Sequence, residues 1–277
     1  MIDGLGRVGI WRSEAGLSGA LAAQLERLGY RTVWIGASPG GDLAIVEELL
    51  DATSELKVAT GIVNIWKDAA PGIAAAYHRI EARHPGRFIL GVGVGHSENT
   101  AAYARPFEAL VDYLDVLDAE GVPAERRLLA ALGPKVLKLA AERTAGAHPY
   151  LTTPEHTRRA REIVGAGVLL APEQKVVVDA DPDRARAVGR RLLVDRYLPL
   201  ANYRRMLTGL GFGEPDFAGE GSDRLVDAVI AHGDAATAVA QVTQHLDAGA
   251  DHVAVQVLTD GSDPMPGFTA LAEVLFG

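Results

Sequence analysis

The sequence predicts an α/β protein folded as one closed (β/α)8 barrel. Three observations predict it. The 277 residues match the usual size of such a barrel. Short apolar runs alternate with helical-period segments from end to end, the pattern of repeated βα units around a parallel sheet. The strand candidates number eight, the count that closes the cylinder.

Those strands are Arg7 to Trp11, Thr32 to Gly36, Lys57 to Asn64, Arg87 to Gly93, Arg127 to Leu132, Ala145 to Leu151, Lys175 to Asp179 and His252 to Leu258. Helical patterns fill the gaps at Ser18 to Leu28, Asp42 to Glu55, Pro71 to Arg83, Pro106 to Glu120, Pro134 to Arg143, Pro154 to Val164 and Pro182 to Met206. Proline opens most of them, where its missing N–H would have no partner anyway, and Thr153 and Asp181 stand as caps before two. Leu207 to Ser222, with glycines at 209, 211, 213, 219 and 221, reads as an irregular excursion within a single domain spanning 1–277. Helices near Arg224 to Ala231 and Ala235 to Ala248 follow it, before the last strand and helix.

Hydrophobic residues make up 48% and charged ones 23%, so the chain can bury a large core and is not a disordered one. It has no cysteine, which excludes disulfides, thiolate zinc sites and cysteine nucleophiles together. The N-terminus lacks a basic stretch followed by an apolar segment, and no run is long enough to span a bilayer; a cytoplasmic protein is expected. A formal net charge of -9 opposes attraction to nucleic acid or an anionic membrane. The one basic run, Arg158-Arg159-Ala160-Arg161, reads as a solvated helix face.

The most informative stretch is Arg87-Phe88-Ile89-Leu90-Gly91-Val92-Gly93-Val94-Gly95-His96-Ser97, introduced by a His84-Pro85-Gly86 turn. Glycine at every second position marks a buried strand against which something presses on bare backbone, and a ligand is the natural candidate. His96 stands where a third fingerprint glycine would fall, so this is not the G-x-G-x-x-G of a nicotinamide-dinucleotide site. Gly61, inside the run Lys57 to Trp66, marks a bulge or a close backbone approach. Leu128 to Lys135 reads as strand, tight turn and helix start, whose free amides suit a phosphate with Lys135 as counter-charge; a plain βα turn looks the same.

Gly36-Ala37-Ser38-Pro39-Gly40 matches a hydrolase elbow in spacing only. The residue after the serine must lend its N–H to the oxyanion hole, and Pro39 has none. Ser38 is then a turn residue or a hydrogen-bond donor to a ligand. The eight histidines include no metal-binding spacing, so no metal site is expected. His96 and His148 each lie at the end of a strand where barrel enzymes carry chemistry, and each reads either as a site residue or as a hydrogen-bonded wall histidine.

Taken together these segments resemble the bacterial luciferase-like superfamily and, within it, the coenzyme F420-dependent oxidoreductases. The likeness runs over nearly the whole chain and is strongest at 84 to 95, at Thr60-Gly61-Ile62, and at Ala130-Ala131-Leu132-Gly133-Pro134. It implies a (β/α)8 TIM barrel, a homodimer, and coenzyme F420 or, alternatively, flavin mononucleotide (FMN) bound at the C-terminal strand ends. Gly61-Ile62 resembles the family's non-prolyl cis peptide behind the tricyclic ring, with Asn64 just beyond it. Gly93, Val94 and Gly95, with Ala131, Leu132, Gly133 and Pro134, fall where the ribityl chain and phosphate are held, and Asn99 joins them; His148 is placed in the same pocket.

Ser38 stands where many F420 enzymes carry a histidine, and His96 where several carry a glutamate proton donor. The resemblance therefore implies hydride transfer between the deazaflavin and a small organic substrate, with His96 handling the proton. An FMN monooxygenase fed by a separate reductase, or a cofactor-binding protein without turnover, are the alternatives. The segment after Glu120 lacks the family's usual hairpin, a reduced lid. Dimerisation is expected through helices near 42 to 55 and 71 to 83, where Ala69, Ala70, Ile73, Ala74, Ala76 and Tyr77 suit close helix contact, although an intramolecular helix face would look identical.

Overall fold

A computed structural model describes residues 2–99 and 103–277, except the side chain of Asn99. Strands β1 (Val8–Ser13), β2 (Thr32–Gly36), β3 (Lys57–Thr60), β4 (Val63–Asn64), β5 (Phe88–Gly93), β6 (Arg127–Leu129), β7 (Gly146–Ala147), β8 (Leu169–Leu170), β9 (Glu173–Val178), β10 (Ile230–Gly233) and β11 (Val253–Val257) pair in parallel throughout. The ladder runs β1, β2, β3, β5, β6, β7, β8 in one direction and β1, β11, β9 in the other. Ala171 donates to the Ala147 carbonyl (2.9 Å) and Ala254 to that of Pro172 (2.9 Å), so β8 and β9 are one stave and the cylinder closes. The fold is the (β/α)8 barrel.

Helices α1 (Gly19–Arg27), α2 (Ala44–Asp51), α3 (Ala70–Arg83), α4 (Pro106–Ala119), α5 (Pro134–Arg143), α6 (Pro154–Val164), α7 (Pro182–Arg196), α8 (Ala201–Gly209), α9 (Glu214–Phe217), α10 (Asp223–Val229), α11 (Ala235–Asp247) and α12 (Met265–Phe276) accompany the strands. Alternation along each strand sends one set of side chains outward, where Val33 and Ile35 meet helices, and the other inward. The inward set includes Leu5, Trp11, Trp34, Ala59, Ile89, Leu128 and Leu169.

Several sequence expectations change. Predicted strand 57 to 64 breaks into β3 and β4 around Gly61-Ile62. The seventh stave starts at Leu169, not Lys175, with Pro172 interrupting the apolar run that signals it. Ile230 and Ala231, expected to end a helix, instead open strand β10, which pairs with the outer half of β9. The helix expected over Pro182 to Met206 divides into α7 and α8 because Pro199 lies between them and disfavours helical backbone at Leu198. Within Leu207 to Ser222, α8 continues to Gly209 and the single turn α9 follows.

The expected dimer face is not free. Ala70, Ile73, Ala74, Ala76 and Tyr77 are all at most 5% exposed because they pack on their own barrel, and only Ala69 of that set is exposed. The basic run is also only partly a solvated face. Arg158 and Arg159 pair on the surface with Glu155, whereas Arg161 reaches inward to Asp251 (2.6 Å) and the carbonyls of Gly249 and Val168.

Candidate functional site

The site is built around the break between β3 and β4. Thr60 turns its hydroxyl to β5, donating to the Gly91 carbonyl (2.8 Å) and accepting from the Gly91 amide (2.8 Å). Its own carbonyl oxygen presses on Gly91, where a Cβ would stand 2.0 Å away. Gly61 donates to the Ile35 carbonyl (2.7 Å), the Gly61–Ile62 peptide is cis, and pairing resumes at Val63 opposite Val92.

The alternating glycines of β5 thus answer first to the protein's own atoms. A Cβ on Gly93 would meet Ala130 at 2.8 Å and Ile62 at 3.1 Å, and one on Gly95 would meet Asn64 at 2.7 Å. Gly95 also has φ +58°, which favours glycine. The interrupted strand leans on β5 at these glycines, and the bulge is the result. Asn64 is buried and fixes the next turn by accepting from the Trp66 amide (3.0 Å), while the Trp66 indole N–H donates to the Val94 carbonyl (2.9 Å).

The bulge leaves a low rim. Gly61, Ile62, Val94, Gly95, His96, Ala130 and Leu132 are half-buried, and Gly133 and Pro134 are exposed; Ala131 is buried. Helix α5 begins there without a side-chain cap, with Pro134 in its first turn, and nothing lies within 4 Å of where a Gly133 Cβ would point. Uncapped amides and the helix dipole suit an anion. Lys135 is nearby on the surface, its Nζ 3.6 Å from the Phe107 ring centre. The Leu132 carbonyl is engaged by His156 Nε2 (2.9 Å).

Ser38 lies half-buried beyond β2, in a turn where Ala37 and Ser38 both have positive φ (63° and 55°), and its carbonyl accepts from Lys67 Nζ (3.3 Å). Such backbone conformations in residues other than glycine gather at functional sites. The side chain of Asn99 is outside the described residues, so its expected role has no structural counterpart here.

His148 is a wall histidine by geometry. It is 1% exposed, its Nδ1–H donates to the Ala171 carbonyl (2.7 Å), and its ring stacks on Trp34 with centroids 4.3 Å apart. Burial pushes its pKa down to about 4, so it is neutral, and its Nε2 is 3.0 Å from where a Gly61 Cβ would stand. It is brought to the bulge, beneath the rim rather than on it. His96 is half-buried at the β5 exit, its ring 5.3 Å from that of Tyr203, and burial holds its pKa below the ordinary histidine value against the pull of Asn202 and Glu98. Glu98 accepts from the Ala201 amide (3.1 Å), tying the start of α8 to this loop and holding the carboxyl below its usual range.

A belt of aromatic rings that sequence reading missed meets the rim at both ends, at His96 and at Trp11, whose Nε1 is 3.0 Å from where a Gly61 Cβ would stand. Ring centroids follow one another from His96 to Tyr203 (5.3 Å), Tyr197 (5.4 Å), Tyr150 (5.6 Å) and Trp11 (5.3 Å), within the range of stabilising aromatic pairs. Beneath it Glu173 and Lys175, both 0% exposed, pair at 3.0 Å. Their same-face spacing, two residues apart in a strand that continues as Val176-Val177-Val178, was the available signal, since Lys and Glu are almost never fully buried unless paired. Among the described residues no group of three or more His, Cys, Asp or Glu could hold a metal.

The site thus joins a low rim of backbone and small side chains, an uncapped helix N-terminus and an aromatic belt. Comparison with known proteins bears on its role. A model of the family described as luciferase-like monooxygenase matches residues 17–252. No curated protein matches the chain. Among solved structures, an F420-dependent secondary alcohol dehydrogenase in complex with an F420–acetone adduct is similar with TM-score 0.77 and 14% identity, covering 97% of both chains. The coenzyme F420-dependent tetrahydromethanopterin reductase of Methanopyrus kandleri has TM-score 0.71 and 17% identity, covering 97% of this chain and 98% of its own. The FMN-bound type II Baeyer–Villiger monooxygenase that forms the oxygenating constituent of 3,6-diketocamphane monooxygenase of Pseudomonas putida has TM-score 0.68 and 15% identity, covering 98% and 97%. At these identities the likeness establishes the shared fold. Among the described residues no helix is long and apolar enough to cross a membrane.

Proposed function

The chain belongs to the luciferase-like monooxygenase family, and from that premise we propose that it is an F420-dependent oxidoreductase, moving a hydride between a deazaflavin ring and an organic substrate. The observation that carries this reading is the presence, at one end of the barrel, of the half-exposed Gly61–Ile62 bulge and the uncapped start of α5. They end staves two steps apart, roughly 10 Å at the usual strand spacing, a span that a ribityl chain covers.

In this reading the ring lies on Gly61 and Ile62, the ribityl chain follows Gly93, Val94 and Gly95, and the phosphate meets the free amides of α5 beyond Leu132 and Gly133. Bound there, the reduced deazaflavin supplies a hydride. His96, at the rim and with its pKa held below the ordinary histidine value by burial, gives or takes the accompanying proton at its imidazole nitrogen. Ser38 and Asn64 flank the ring, and the aromatic belt that reaches the bulge at Trp11 adds an apolar border.

F420 is preferred because the two F420-dependent enzymes above have the higher TM-scores, 0.77 and 0.71 against 0.68 for the FMN-bound one. FMN shares the ring outline and the phosphate, so an FMN monooxygenase is the competing reading. Side-by-side fluorescence titration with F420 and FMN tests the choice. Tighter binding of F420 supports it; binding of FMN alone, with oxygen consumed during turnover, overturns it in favour of the monooxygenase.

A further inference from the structure

Helix α8 lies beyond the Pro199 break, yet its first turn stands against the exit of β5. Glu98 accepts the Ala201 amide at 3.1 Å, and Ser97 Oγ donates to the other carboxylate oxygen at 2.9 Å. The helix has no side-chain cap of its own at Leu200. Glu98 takes that part from another segment, since a carboxylate satisfies free amides at a helix start and suits its dipole. The tie brings His96 together with Asn202 and Tyr203, residues that no local pattern connects.

Tyr203, 3% exposed, sets its ring 5.3 Å from that of His96 at an angle of 51°. Burial lowers the affinity of the imidazole for its proton, and Asn202, as a hydrogen-bonding neighbour, and then Glu98 oppose it. Glu98 from its own loop is thus the charged group that acts on His96, and α8 faces it with Asn202 and Tyr203. His96 Nδ1 and Asn202 Oδ1 are both buried, and both lack a completed hydrogen bond among the described residues. An imidazole N–H is a donor and an amide oxygen an acceptor, so each supplies what the other lacks. Leaving both unpaired away from water is costly, and pairing them removes both costs at once.

We propose, resting on the reading of the previous subsection, that Asn202 is a positioning residue for His96: its Oδ1 accepts from Nδ1–H and leaves Nε2 as the nitrogen that gives or takes the proton. In a neutral imidazole one nitrogen is the donor and the other the acceptor, so a partner at one fixes the role of the other. When the substrate is reduced, the proton that accompanies the hydride leaves Nε2–H of the charged ring. The bonding pair stays on Nε2, and the ring returns to the neutral Nδ1–H form that Asn202 holds. In the opposite direction Nε2 accepts the proton, again with Nδ1–H unchanged. Helix α8 thereby joins the chemistry through His96.

Nitrogen NMR of protein isotope-labelled at its histidines reads the tautomer and pKa of each ring, and the His96→Gln spectrum assigns His96 by the signal it lacks. Above its pKa the wild-type ring is expected in the Nδ1–H form. Asn202→Leu is expected to abolish that preference, to lower the pKa, and to reduce turnover about tenfold or more, because a histidine in the wrong tautomer transfers its proton poorly. Asn202→Asp keeps an acceptor and adds charge, so it is expected to keep the Nδ1–H form and to raise the pKa by about one unit, with the limb of the pH–rate profile moving upward alongside. Cofactor affinity is expected to be unchanged in both. A wild-type ring in the Nε2–H form, or a tautomer and pKa indifferent to both substitutions, overturns this inference alone; the wild-type spectrum decides even where a variant does not fold. A protein that binds neither F420 nor FMN overturns it together with the functional reading beneath it.

Discussion

The carbonyl oxygen of Thr60 lies so close to Gly91 that a β-carbon there would stand 2.0 Å from it. This contact is what allows β3 to stop, bulge and resume beside β5, and the bulge is the floor of the candidate site. Gly91→Ala sets a methyl group against backbone that cannot turn aside, so it is expected to lower stability by about 3 kcal/mol or more. Urea unfolding of the two proteins measures it. A loss under about 1 kcal/mol would mean that the strands separate readily and that the contact does not shape the bulge.

Gly133→Ala gives the opposite result. Gly133 has an extended φ of -91° that any residue adopts, and its Cβ would enter open space at the start of α5. Stability is expected to stay within about 0.5 kcal/mol, while the added methyl crowds the phosphate and weakens F420 or FMN binding about fivefold or more. Unchanged affinity in the same titration would remove α5 from the site.

His96→Gln is expected to leave cofactor affinity unchanged and to lower turnover about 100-fold, the usual scale for losing a general acid or base. In the direction of carbonyl reduction the wild-type rate falls as pH rises through the His96 pKa, and burial sets that limb below the ordinary histidine value. A pH–rate profile of wild type and variant checks both statements; a limb that persists in the variant assigns the proton to another group.

Three of the four histidines buried among the described residues make the fold most sensitive to acid. Burial brings His148 and His252 down to about 4 and His245 to about 3. Each is neutral in the folded chain and hydrogen-bonded, His252 to the Trp34 indole (2.9 Å) and His245 to Thr157 and Gln174 (2.7 Å each). The unfolded chain takes up these protons as pH falls below about 6.5 while the folded chain does not, so stability is lost between about pH 6.5 and 4, on the order of 3 kcal/mol per histidine. Urea midpoints measured across that range should fall steeply, and a flat profile contradicts the neutral assignment.

Removing one member of the Glu173–Lys175 pair leaves the other charge buried alone. Lys175→Met is expected to lower stability by about 3 to 5 kcal/mol, and adding Glu173→Leu to recover most of it. Thermal unfolding of the single and double variants decides this. A double variant no better than the single would show that the pair stabilises the barrel in its own right.

Local order in the chain determined most of the architecture: the alternation of apolar runs with helical periods, the proline-led helix starts, and the glycine-marked β3 and β5 that locate the rim. These are properties of neighbours a few residues apart, which periodicity and backbone preference report directly. The identity of each contact was decided only by tertiary structure. Gly91 is glycine because Thr60 lies across from it; the alanine face of α3 is buried because the barrel is there; the aromatic belt joins positions 11, 150, 197 and 203, which no spacing connects. Closure of the cylinder brings staves remote in sequence to within van der Waals reach. A pattern along one strand says which face turns inward, but not what it will meet there.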